Sequence, residues 1–158
     1  MLEIAIVVVS NKILAGRESD TGKEALEQMI RDLPGRVVTY GVVPDDRKAI
    51  REHLVRLCDE YHPDVILTVG GTGVRPSDWT PEATRDVIEK EVPGMAEAMR
   101  QASMKKVLTG MLSRGIAGIR GETLIVNLPG SAKGAQENLA VILPVLHHTV
   151  EKMKAVTR

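Results

Sequence analysis

Two glycine loops and two aspartates are the residues whose types and spacing could do chemistry. "GGTG" at 70–73 follows the apolar run "DVILTV", and "PGSAKG" at 129–134 follows a second run, "TLIVNL". Glycine lets backbone N–H groups turn inward and lets a phosphate come close to the main chain. Gly70, Gly71 and Gly73 would do this in the first loop, and Pro129 and Gly130 open the second. Thr72 and Ser131 add hydroxyl donors, and Lys133 adds a positive charge. Asp45 and Asp78 each fall just past a predicted strand and just ahead of a predicted helix. Two carboxylates beside two phosphate-binding loops point to a cation between them. Magnesium takes a carboxylate plus phosphate oxygens, keeps several waters, and offsets charge that develops in phosphoryl or nucleotidyl transfer. Each feature also has a plain structural reading. Glycines make tight turns, and aspartate is a common helix N-cap.

The elements that must position these residues follow from periodicity. "EIAIVVVS" at 3–10 is short, β-branched and unalternating, as a strand buried on both faces should be. Thr21 and Glu24 have capping-box spacing ahead of a helix carrying Leu26, Met29, Ile30 and Leu33 on one face. Residues 36–43 read as a second strand. "PDD" at 44–46 opens a helix with Ile50, Leu54, Leu57 and Tyr61 in line, and 64–69 is a third strand. After the first glycine loop, "TPEA" at 80–83 starts a helix with Thr80 as cap, and a further helix covers Met95 to Met104. "GIAGIR" and "TLIVNL" flank a turn at Gly121-Glu122, and a long final helix carries Leu139, Ile142, Leu146 and Val150 on one side. Pro144 should kink that helix or sit on its exposed face.

This rhythm predicts an α/β fold in three layers, α/β/α, with a mostly parallel sheet, a short hairpin-like strand pair, and one domain over 1–158. In such open sheets ligands sit beyond the carboxyl ends of the strands, where both glycine loops fall.

Composition narrows the class further. Lysine plus arginine and aspartate plus glutamate number 21 each, so there is no electrostatic case for nucleic-acid or membrane partners. With no Phe, one Trp and two Tyr, stacking platforms for single-stranded nucleic acid are nearly absent. Cys58 is alone, which fits a core thiol in a reducing, cytoplasmic compartment. The start "MLEIAIVVVSN" has no basic n-region of a signal peptide, and Ile4 to Val9 is too short to span a membrane. "GRESDTGKE" at 16–24 approaches a P-loop but has five residues between its glycines, and Glu24 stands where Ser or Thr should bind magnesium. His147 and His148 point to different sides of a helix and do not form a metal pair.

Taken together, "GGTGVRPSDWTPEAT", "VPGMAEAMR" and "MLSRGIAGIRGETLIVNLPGSAK" resemble the Mog/MoaB family of molybdenum-cofactor biosynthesis, from Ser10 nearly to the C-terminus. The resemblance implies a homotrimer that adenylylates molybdopterin with Mg-ATP, releases pyrophosphate, and passes its product to a molybdenum insertase. It makes Asp78 the essential aspartate and Asp45 the second acidic position, both also as magnesium ligands. Ser10, Asp20 and the Ser131/Lys133 loop would complete the pocket, with one glycine loop for nucleotide and the other for pterin, in either order. The chain departs from the family pattern at Asn11, Val69, Ala132 and Met95. A second reading is a binding protein that keeps the pterin pocket and carries the cofactor without catalysis. The retention of Asp45 and Asp78 favours the enzyme. For the trimer contact, Met95, Ala98, Met99 and Ala102 form one candidate helical face.

Overall fold

Strand β1 (Leu2–Val9) runs through the core, with Ile4, Ala5, Ile6 and Val7 fully buried. Its unalternating apolar run needs cover on both faces, and helices supply it. The computed structural model of the protein describes residues 1–155; the last residues of the expected 1–158 domain, 156–158, lie outside them. The remaining strands are β2 (Gly35–Val43), β3 (Val65–Val69), β4 (Lys90–Glu91), β5 (Ala117–Arg120) and β6 (Thr123–Leu128). They form one sheet in the order β2-β1-β3-β6-β5-β4. Neighbours from β2 to β6 run parallel, while β5 and β4 are antiparallel additions at one edge. The expected mostly parallel sheet with a hairpin pair is therefore present, and β5 and β6 turn at Gly121 as expected.

The helices are α1 (Asn11–Leu14), α2 (Lys23–Asp32), α3 (Arg47–Arg56), α4 (Thr80–Val87), α5 (Pro93–Met104) and α6 (Ala132–Lys154). Leu26, Met95, Met99, Leu139 and Ile142 bring α2, α5 and α6 onto one face of the sheet. Ile50, Leu54, Ala83 and Val87 bring α3 and α4 onto the other. Each fully buried Leu or Ile contributes roughly 1.5–3 kcal/mol by leaving water. α3 continues into a wider π turn at Leu57–Tyr61, where Leu57 is buried but Tyr61 turns out to solvent. Cys58 lies in the second core, and burial pushes its thiol up to about 11, which leaves it protonated and inert. Pro144 sits on the exposed side of α6 within the helix.

Three local expectations change, and one element appears that periodicity does not predict. Gly22, not Thr21, is the N-cap of α2, and no side chain caps it, so the capping box is not made. Trp79 is the N-cap of α4; Thr80 instead lies inside the helix and donates its hydroxyl to Gly70 O at 2.8 Å. The segment after β1 contains a short helix, α1, which is too brief to show periodicity. Met95 and Met99 pack against the chain's own sheet, so their face is core and not a contact surface. The exposed apolar residues nearby are Val107, Leu108, Met111 and Leu112.

Candidate active site

The order β2-β1-β3 reverses direction at β1, which opens a crevice beyond the carboxyl ends of β1 and β3. A cleft of about 720 Å³ occupies that position. Its floor is Val9 and Ser10 at the end of β1, Val69 and Gly70 at the end of β3, and Gly130 and Ser131 beyond β6. The sequence placed both glycine loops at this edge, and the structure brings them into contact. A Cβ on Gly130 would sit 3.3 Å from Gly70 Cα, and one on Gly70 would sit 2.5 Å from Val9 O. Gly70 has φ of +109° and Gly71 of +70°, conformations that favour glycine.

Asp78 is buried at the cleft wall. Its Oδ2 accepts from Arg75 N at 2.9 Å and lies 4.0 Å from Arg75 Nε. Gly73 faces this carboxylate, and a Cβ there would come within 3.0 Å of Asp78 Oδ2. Asp45 reaches the cleft from the loop after β2, where it is locked reciprocally to Asn11. Asn11 N donates to Asp45 Oδ2 at 3.1 Å, and Asp45 N donates to Asn11 Oδ1 at 2.9 Å. Asn11, a departure from the family pattern, thus positions one of the two expected acids without adding charge beside it. Ser10 caps α1 by accepting from Ile13 N at 3.1 Å. Ser131 caps α6 by accepting from Gly134 N at 3.0 Å. Both serines line the cleft as well as capping.

The expected residues Ser10, Asp20, Asp45, Gly70, Gly71, Thr72, Gly73, Asp78, Gly130 and Ser131 all line this one cleft. Pro129 and Lys133 do not. Lys133 lies in the first turn of α6 with its side chain 87% exposed, 3.9 Å from Glu137. The cations in the lining are Lys12, Arg17 and Arg75, which sequence reasoning passed over. Their signal was present as basic residues within a few positions of Ser10, Asp20 and Asp78. Tyr40 was also missed. Its ring meets Lys23 Nζ at 4.4 Å, and it lines the cleft from β2.

Two atoms of the lining show what the cleft is built to receive. Asp20 Oδ2 and Tyr40 Oη are buried and make no hydrogen bond among the described residues. Buried polar atoms are costly when unpaired, so these suit a ligand bearing N–H or O–H groups. Among the described residues no three His, Cys, Asp or Glu side chains converge as a metal cage. The hydrogen bonds at Asp45 and Asp78 engage Oδ2 of each. That donor set fits magnesium, which shares one or two carboxylates with substrate phosphates.

Residues 5–148 match the family model described as "Probable molybdopterin binding domain". A molybdopterin adenylyltransferase of Helicobacter pylori strain J99 is 38% identical over 152 residues, spanning 95% of this chain and 86% of the relative. One from Haemophilus influenzae is 41% identical over 143 residues, spanning 88% and 72%. The crystal structure of the molybdopterin biosynthesis enzyme MoaB from Thermus thermophilus is 45% identical, covers 97% of this chain and 96% of its own, and superposes with a TM-score of 0.92. The cleft and its glycine loops lie within the matched residues, and the chain belongs to this molybdopterin-binding family of molybdenum cofactor biosynthesis.

Proposed function

We propose that the chain is a molybdopterin adenylyltransferase that joins molybdopterin to the adenylyl group of ATP and releases pyrophosphate. One observation carries the reading: two glycine loops and the carboxylates of Asp45 and Asp78 share one cleft in a chain whose relatives bear that name. The terminal phosphate of the pterin attacks the α-phosphorus of ATP. A P–O bond forms there as the bond to the pyrophosphate oxygen breaks. A phosphate monoester is already a competent nucleophile, so the protein has mainly to align the partners and neutralise charge.

The backbone of Gly70, Gly71 and Gly73, with the Thr72 hydroxyl, lies against the phosphates at the end of β3. Gly130 and Ser131 do the same at the end of β6. Lys12, Arg17 and Arg75 offset the charge of the assembled phosphates. Asp20 Oδ2 and Tyr40 Oη accept or share hydrogen bonds with the ring end of a substrate. Asp45 and Asp78 would hold magnesium together with substrate phosphate oxygens, and the ion would draw off charge from the phosphates. Residues 1–158 form one domain that works in the cytoplasm, assembles as a homotrimer and hands its product to a molybdenum insertase.

Purified protein incubated with molybdopterin, ATP and magnesium should yield adenylyl-molybdopterin by mass spectrometry. Tight pterin binding with no such product would identify a carrier instead.

A further inference from the structure

We infer that Arg114 is a positioning residue that holds the GGTG loop and Asp78 in working register, an inference that rests on the adenylyltransferase reading. Arg114 does not line the cleft; it sits behind it, on the segment leading into β5. From there its guanidinium donates to three acceptors, two in the wall of the site and one on α4. Nε donates to Gly73 O at 2.7 Å, Nη2 to Asp78 O at 2.9 Å, and Nη1 to Glu82 Oε2 at 2.6 Å. Its own backbone N–H donates to Thr72 O at 2.8 Å. One residue therefore ties both ends of the 72–78 loop and the first turn of α4 to a single point.

The geometry needs arginine. A planar fork with donors on Nε and both terminal nitrogens can serve three acceptors lying in different directions. A lysine ammonium concentrates its donors at one point. The anchor is itself held. Arg100 Nη1, from α5, donates to Ser113 O at 3.3 Å and Gly115 O at 2.7 Å, on either side of Arg114. Asp78 is thereby fixed twice, at its main chain by Arg114 and at its carboxylate by Arg75 N. Glu82, the acid of "TPEA", gains a task that its place outside the cleft lining does not explain. It closes the fork on the α4 side.

The test compares wild type with Arg114→Ala, Arg114→Lys and Glu82→Gln, each checked by thermal melting and assayed where folded. Hydrogen exchange is followed by mass spectrometry on the peptide covering 70–79, with peptides from β1 and α2 as reference. Arg114→Ala should exchange faster in 70–79 by about tenfold, with the reference peptides unchanged. Its kcat should fall about 100-fold while KM for molybdopterin stays within about threefold, the signature of lost alignment and not of lost binding. Arg114→Lys should recover only part of kcat, and Glu82→Gln should lose less than Arg114→Ala. Exchange at 70–79 equal to wild type in both arginine variants overturns the proposal. So does faster exchange spread evenly over the chain, which would mark general destabilisation. If Arg114→Ala does not fold, Arg114→Lys and Glu82→Gln decide by the same two readouts. Wild-type protein that makes no adenylyl-molybdopterin overturns the proposed function separately, and the exchange comparison still decides the role of Arg114.

Discussion

At the scale of single residues, Asp78 carries the sharpest expectation. Asp78→Asn keeps the size of the side chain and an oxygen for Arg75 N but removes the charge facing the phosphates. Turnover should fall about 100- to 1000-fold, with the melting temperature nearly unchanged and pterin binding retained. Wild-type turnover by this variant would remove Asp78 from catalysis. Gly71 shows where sequence and structure part. Read from spacing alone, Gly71→Val should harm ligand approach more than stability. In the structure a Cβ at Gly71 would overlap Thr80 Oγ1, the hydroxyl that donates to Gly70 O. With φ at +70° as well, the variant should lose about 3 kcal/mol of stability along with binding, measurable by urea denaturation. The glycines were legible in the sequence. That one of them makes room for a threonine of the next helix was not, because the contact spans several residues across a turn whose shape spacing does not specify.

Element by element, the long strands and helices could be read because burial on a sheet imposes a pattern on a whole run of residues. β4 has two residues, and only its pairing with β5, far along the chain, makes it a strand. Asn127 is the counterpart in the core. It is the one polar amide in the predicted strand "TLIVNL", and it lies inside β6, where its Nδ2 donates to Thr68 Oγ1 and Thr84 Oγ1, each at 2.9 Å. Its Oδ1 accepts from Ile116 N at 3.1 Å. This network ties β3, β6 and α4 together beneath both glycine loops. Asn127→Ala strands an N–H and two hydroxyls, and should cost about 3 kcal/mol in a denaturant melt. The Arg114–Glu82 pair at the start of α4 gives a pH expectation. The hydrogen bond from Arg114 holds the Glu82 carboxyl below its ordinary value of 4.5. A depressed carboxyl contributes stability that is present above the unfolded value and is lost as pH falls through the folded one. Wild type should therefore lose stability below pH 4.5 more steeply than Glu82→Gln, as followed by thermal melts across that range.

For the whole molecule, the proposed homotrimer needs a contact face, and the methionines that sequence periodicity offered are inside the core. We propose the exposed run Val107, Leu108, Met111 and Leu112, beside α5, as that face. Sedimentation equilibrium at micromolar concentration should give a trimer mass for wild type and a smaller species for Leu108→Glu; a monomeric wild type would refute the assembly. The central claim is that the cleft at the β1–β3 switch point transfers an adenylyl group to a pterin phosphate. Parallel reactions with ATP labelled at the α- or the γ-phosphorus test it most directly. The account predicts α-label in adenylyl-molybdopterin and γ-label in pyrophosphate, both abolished in Asp78→Asn. Label from the γ-phosphorus on the pterin, or α-label recovered only in ATP and AMP, would contradict it.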